Sequence, residues 1–340
     1  MGILDGLLIN EQINKLIERT TFSDINDKIS ELLNSNKKLV HYTSAIVARE
    51  IIEKEELWLR KTIFMNDYSE ITYGKQCLEN LLNEPEIIDK LNNLLKNFPI
   101  QINGNNLDIL KKVYYDFVND VEKRTYISCL SEHLLDEDNI GRLSMWRAYG
   151  NSSGIALVIN PKFLEKEAII LGNLFITIPV IYSEENFKKI FIKILENIEK
   201  YIDRIKELNI DTGQIYNNIA LIMYIYVISL KHKGFWEERE WRIILSHLFN
   251  KNISYIPSKT LKRTIENIKG NPEVIYKINL KEFSFINPSG ESLLEKIIIG
   301  PTANSEILIE SFSEILRNKG FNDEQIKNMI TVSNIPLRYW

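Results

Sequence analysis

The chain has 340 residues, 44% hydrophobic and 26% charged, which is an ordinary globular composition with enough length for a large core. A formal net charge of −4 excludes a global attraction to nucleic acid or to an anionic membrane. Cys77 and Cys129 are the only cysteines, which excludes a disulfide framework and a cysteine-based zinc site.

The opening residues, MGILDGLLINEQINK, carry no charged stretch ahead of a long apolar run, and Gly2 lacks the Ser or Thr of a myristoylation signal. Neither a leader nor a membrane span is expected, and the cytoplasm is the expected compartment. Residues 3–36 read as helices, from Leu7, Leu8, Ile13, Leu16 and Ile17 and then Ile25, Ile29, Leu32 and Leu33 at helical spacing. They form the N-terminal part, 1–37, of what is expected to be one elaborated catalytic domain over 1–340.

KLVHYTS at 38–44 predicts a strand, with Thr43 or Ser44 capping a helix over 45–54, and LWLR at 57–60 predicts a second strand. His41, Tyr42 and Arg60 then suggest a concave polar site, although His41 alone reads equally as a satisfied half-buried imidazole. Asn66, Asp67 and Glu70 read as turn and cap residues. Residues 76–124 predict a helical insertion, broken at Asn103–Gly104–Asn105.

TYISCL at 125–130 predicts a strand, LSMWRAYG at 143–150 a short helix, and GIALVI at 154–159 a buried strand. That order would gather Ser128, Trp146 and Tyr149 around one cleft. Taken alone, Trp146 and Tyr149 are core residues at helical spacing. Another strand is expected in 173–182, with Pro179 marking an edge or bulge. Long helices are expected over 184–209 and 214–233, a second insertion (184–233) that Gly234 would close. The second helix is apolar nearly all round, so it is expected to be buried.

GFWEEREWRII at 234–244 is the most unusual stretch. Read as a strand, it puts Trp236, Glu238, Glu240 and Arg242 on one face. Two carboxylates beside aromatics call for something cationic: a counter-charge, a metal or a positively charged transition state. An exposed edge strand with paired charges is the plainer alternative. Further strands are expected at 255–257, 274–280, 296–299 and 330–339, with helices at 306–318 and 323–329. The fold class is α+β, with a mixed sheet and helical insertions. No GxGxxG after a strand, Walker A, HExxH, CxxC or GxSxG motif occurs, and the histidines have no metal-type spacing.

Five segments, LVHYTS at 39–44, LWLRKTIFMNDYSE at 57–70, YISCLSE at 126–132, LSMWRAYG to GIALVI at 143–159 and GFWEEREWRII, resemble in their order a bacterial family known as a domain of unknown function, DUF2971. IIIGP at 297–301 is a weaker match. The motif layout resembles that of ADP-ribosyltransferases, which implies a split mixed sheet with a His on the first strand, a Ser on a middle strand and a Glu on a late one. By that resemblance His41 holds a ribose hydroxyl of NAD, Tyr42 and Thr43 shape the same edge, Ser128 lies in the middle motif, and Trp146 and Tyr149 stack on nicotinamide. Arg60 meets the pyrophosphate. Glu240 faces the cationic ribosyl group and Glu238 takes the acceptor's proton.

The implied activity is transfer of ADP-ribose from NAD to a nucleic-acid or protein acceptor, in a toxin or phage-defence setting, with an antitoxin or chaperone as a further partner. Two alternatives stand beside it. One is a nuclease holding Mg²⁺ on Asp67, Glu70, Glu238 and Glu240. The other is a non-enzymatic module that binds a partner through its helices.

Overall fold

The computed structural model describes residues 23–62, 69–100, 105–121, 124–165, 175–246, 260–268 and 270–337. The expected helices at 3–22 and strand at 255–257, together with Asp67, lie outside these residues. The described strands are β1 (Lys38–Ser44), β2 (Glu56–Lys61), β3 (Thr125–His133), β4 (Gly154–Ile159), β5 (Phe175–Pro179), β6 (Glu240–Ser246), β7 (Leu261–Ile268), β8 (Asn271–Asn279), β9 (Leu294–Ile299) and β10 (Ile330–Val332). They form a mixed sheet in the order β10-β9-β4-β1-β3-β2-β8-β7, with β6 on β3 and β5 on β6. All pairs are antiparallel except β10 with β9.

β3 has three partners on two edges. β6 pairs with it from Thr125 to Ser131 and therefore fills one edge. β2 overlaps that stretch at Tyr126 and Ile127, and β1 overlaps it at Ser131, so both must use the other edge. Between them, beside residues 128–130, the sheet forks. β1, β4, β9 and β10 continue to one side; β2, β8 and β7 continue to the other.

Alternation along each strand divides the core between two faces. On one face lie Leu39, Tyr126, Leu130, Leu157, Trp241, Ile243 and Ile297. They pack against helices Ala45–Lys54, Ser305–Asn318 and Asp323–Met329, whose apolar residues recur at helical spacing. Ser44 caps the first of these by accepting from Val47 N at 3.4 Å, as its position predicts. The opposite face carries Ile127, Ile178 and Ile244. It is covered by helices Ser69–Leu81, Pro85–Leu95, Asn106–Val121, Glu184–Lys200 and Thr212–Val227. The last is buried on most sides, as its all-round apolar sequence requires.

Four departures from the sequence reading bear on the site. Helix 212–227 ends at Val227, so Gly234 does not close it. Residues 228–229 make a turn, after which Leu230 forms a parallel bridge with Ile181. Lys233–Glu238 is a 3₁₀ turn, Arg239 is left-handed at φ 44°, and the strand begins only at Glu240. β7, which the sequence reading did not identify, forms a hairpin with β8.

A small second core on the fork-bearing strands is built around Trp146, which is fully buried with Val40, Tyr42, Ala156, Val158 and Ile298. The helix starting at Leu143 widens into a π-turn at Trp146–Gly150, and the indole meets glycines at 141, 154 and 300. A Cβ at Gly300 would stand 2.8 Å from Trp146 Cε3 and 3.0 Å from the Gly154 carbonyl. Neither neighbour is a flexible chain end. Gly300→Ala is therefore expected to cost about 1–3 kcal/mol by overpacking. Urea denaturation measures it, and a loss below about 0.5 kcal/mol, the range of a neutral surface change, would show that the ring is free to shift.

Candidate functional site

The two glutamates of the unusual stretch meet on one ammonium. Lys231 Nζ donates to Glu238 Oε2 at 2.7 Å and to Glu240 Oε2 at 2.9 Å. Arg242, two residues along the same strand face as Glu240, donates from Nε to Glu240 Oε1 at 2.7 Å. Its Nη1 reaches the Ile228 carbonyl at the end of the buried helix. Of the three cationic solutions that the sequence allows, the structure contains the counter-charge, and it takes two residues.

Local geometry explains how this is possible. On a straight strand, carboxylates at i and i+2 would sit about 6–7 Å apart along the chain. The 3₁₀ turn and the left-handed Arg239 instead fold Glu238 back towards Lys231. Arg142 holds this irregular backbone in place. Its Nη1 donates to the Glu237 carbonyl at 2.7 Å, to the Glu238 carbonyl at 3.1 Å and to Ser131 Oγ at 2.7 Å. Ser131 Oγ donates in turn to the Glu238 carbonyl. Glu137 pins Arg142 through Nε at 2.8 Å and Nη2 at 3.0 Å, and also pairs with Arg239.

The electrostatics separate the two glutamates. The Glu240 side chain is 6% exposed. Burial alone would raise its pKa, but Arg242 and Lys231 outweigh burial and bring it to about 2. Its backbone N–H donates to the Tyr182 hydroxyl at 2.9 Å, and the Cys129 thiol donates to its carboxylate. Glu238 is more open, at 13%, and its Oε2 accepts from the Tyr149 hydroxyl at 3.5 Å. Burial, then the charge of Glu238, pushes the Tyr149 phenol up, so it stays a neutral donor. Beside them Phe235 and Trp236 are exposed, Trp236 by 62%, and Lys231 lies 5.0 Å from the Phe235 ring centre.

The other expected site residues are dispersed. His41 stems from the sheet face opposite Glu240, the face of Leu39 and Leu157. Its ring turns into the fork, where Nδ1 donates to the Cys129 carbonyl at 3.1 Å. Burial lowers its pKa, opposed by that carbonyl, so the ring is a neutral Nδ1–H tautomer. It borders a cavity of about 40 Å³ walled by Leu130, Leu157, Ile243 and Phe285. His41 and Glu240 thus do not line one cleft. Cys129 links them, its carbonyl facing one and its thiol the other.

Ser128 is 5% exposed on the His41 face. Tyr42 packs edge-on to Trp146 at 4.8 Å, and its hydroxyl accepts from Arg142 N at 2.9 Å. Trp146 is a correction. It is 0% exposed, with Nε1 donating to the Ile140 carbonyl, so neither ring face is open to a nicotinamide. Arg60 is clamped by Glu273, with Nε at 3.1 Å and Nη2 at 2.9 Å. Thr43 is half-buried beyond His41 on β1. Among the described residues, no group of three or more His, Cys, Asp or Glu is placed to hold a metal. Also among them, no helix is long and apolar enough to cross a membrane.

Lys231, Glu137 and Arg142 are the site residues that sequence reading missed; it places Arg242 beside the glutamates without a role. Only the need for a cation beside two glutamates hinted at Lys231.

The pKa of Glu240 sets a stability prediction. A folded value of about 2 against an ordinary 4.5 means its contribution is complete above pH 4.5 and lost as pH falls towards 2. Glu240→Gln is expected to cost about 3–5 kcal/mol at pH 7, because it leaves two buried cations undercompensated. The gap to the parent protein in chemical denaturation should close between pH 4.5 and 2. A gap that stays constant over that range would sink the assignment.

Comparison with known proteins bears on one segment of the chain. No curated protein and no solved structure matches it. Residues 145–243, which run from Met145 beside the buried tryptophan to Ile243 of β6, match the family model described as "Protein of unknown function (DUF2971)".

Proposed function

We propose that the chain is an ADP-ribosyltransferase that uses NAD as donor, with Glu238 as the carboxylate that faces the substrate. The observation that carries this reading is the unequal glutamate pair. Glu240 is buried and neutralised by Lys231 and Arg242, whereas Glu238 is partly open, bonded to Tyr149 and set beside exposed aromatics. Breaking the nicotinamide–ribose bond leaves cationic character on the sugar, which a fixed carboxylate stabilises. The departing nicotinamide takes the bonding pair, the acceptor's nucleophile attacks the sugar carbon, and its proton passes to Glu238.

The roles differ from those expected from sequence. Glu240 holds Lys231 in place and is the positioning residue. Trp236 and Phe235 take the stacking role assigned to Trp146, since an electron-rich ring face suits the positively charged nicotinamide of NAD. His41, with Nδ1–H spent on Cys129 and its ring against an apolar cavity, takes no part in this reading of the site. An ADP-ribosyltransferase-like split sheet belongs to this reading, and the fork between β1 and β2 supports it. The acceptor is a nucleic acid or a protein.

The exposed Phe235 and Trp236 also favour a second reading, a protein-interaction module without catalysis. Nicotinamide release from NAD distinguishes the two. Glu238→Gln keeps size and hydrogen-bonding capacity, and is expected to lower release by about 10²–10³-fold, the range for removing one electrostatic stabiliser, while losing less stability than Glu240→Gln, because Lys231 keeps Glu240, and staying folded at the assay temperature. Release that is undiminished in Glu238→Gln removes the transferase reading.

Trp236→Ala is expected to raise the KM for NAD about tenfold with kcat little changed, as loss of a stacking contact that is equal in ground and transition states. Steady-state kinetics check this, and an unchanged KM excludes Trp236 from the donor site.

A further inference from the structure

A second concave region lies at the far end of the smaller wing of the sheet. The β7–β8 register puts Lys262 directly opposite Lys277. Like charges facing each other across an antiparallel pair are destabilising. Lys277 is compensated: it is 7% exposed, lies 2.8 Å from Glu266 and 3.1 Å from Glu56, and stacks 4.8 Å from the Trp58 ring centre. Lys262 makes no ion pair among the described residues.

Two more lysines converge on the same place from outside the hairpin. Lys54 ends helix Ala45–Lys54 and pairs with Glu50 one turn back. Lys281 opens the turn after β8, where Asn279 Oδ1 accepts from its backbone N–H at 3.1 Å, and its ammonium makes no ion pair among the described residues. A backbone bond from Leu280 N to the Glu55 carbonyl, 2.7 Å, ties these two chain segments together. Glu55 is itself left-handed, at φ 53°, and its carboxylate takes Lys319 at 2.7 Å. The lysines are therefore mounted on rigid, cross-linked backbone.

The cleft they surround has a volume of about 210 Å³. Thr260 and Asn279 add polar side chains to its wall, and Glu56, the one carboxylate there, already faces Lys277. Lysines on an edge strand such as β7 also guard against sheet-to-sheet association. That role does not call for Lys54 and Lys281, which stand on other elements and close the same space. Ammonium groups around a polar cleft match a compact oxyanion with several acceptor oxygens.

We propose that this cleft binds a small phosphate-bearing ligand of the diphosphate type. The proposal does not depend on the transferase reading, because the cleft is distinct from the Glu238 site and its readout is binding alone.

The test is calorimetric titration of the full chain with pyrophosphate, at ionic strength held constant with chloride. The parent protein should show saturable one-site binding, and the double variant Lys262→Gln/Lys281→Gln should bind at least about tenfold more weakly, as loss of charged hydrogen bonds implies. Lys189→Gln, on an exposed helix face, should bind like the parent. Equal melting temperatures without ligand would show that the double variant is folded. Absence of saturable binding to the parent, or equal affinity in the double variant, overturns the proposal. If a short single-stranded RNA binds through these lysines and pyrophosphate does not, the small-ligand source is likewise overturned in favour of a nucleic-acid backbone.

Discussion

The ammonium of Lys231 is the contact on which the rest of the site depends. It is shared by two carboxylates that reach it from different kinds of backbone, a turn and a strand. Without it, Glu238 and Glu240 would be like charges brought together in a low-dielectric setting, an arrangement that favours protonating one of them. With it, and with Arg242 behind, the two carboxylates face two cations, and Glu240 stays ionised. The irregular features nearby follow from that demand. The early end of helix 212–227, the turn that sets Leu230 beside Ile181 and the left-handed Arg239 all bring Lys231 and Glu238 within reach of the strand.

Much of the fold was legible because it is written in periodicity. KLVHYTS, TYISCL and GIALVI alternate or run apolar, and each is a strand. The helices that cover the sheet show apolar residues every three or four positions. β7 escaped because LKRTIENI has exposed charged residues along an edge and only a thin apolar face. Trp146 and Trp236 show the limit on the site side. Both are tryptophans in helical turns next to polar residues, and sequence gives no measure of which one the glycines at 141, 154 and 300 will enclose. Arg142 is harder still. Two of its bonds reach backbone carbonyls of a turn about a hundred residues away, and carbonyls leave no trace in residue identity.

The fork explains why His41 and Glu240 are neighbours without sharing a cavity. Where β1 and β2 part, the inward carbonyl of Cys129 has no strand to pair with, and a buried acceptor left alone is costly. The His41 ring supplies the missing donor. Its position on β1 is therefore dictated by the gap in the sheet, whatever else its second nitrogen does. The same residue, Cys129, sends its thiol to Glu240 on the other side, so a shift of β3 by one register step would disturb both groups together.

β3 also constrains how the molecule is made. Its partners lie far from it on both sides: Ser131 faces Val40, which precedes it, and Glu240, which follows. Roughly a hundred residues separate it from each, so its ladders form late and at high contact order. On a ribosome, β3 emerges with one edge ready to pair with β1 and β2, while the edge meant for β6 waits until residues 240–246 have been synthesised. An apolar strand with one open edge is a template for pairing with another chain. Helices Glu184–Lys200 and Thr212–Val227 emerge in that interval, and they pack on the same sheet face as Ile127. Their synthesis ahead of β6 lets them shield the face of the nascent sheet during the time its central edge is incomplete.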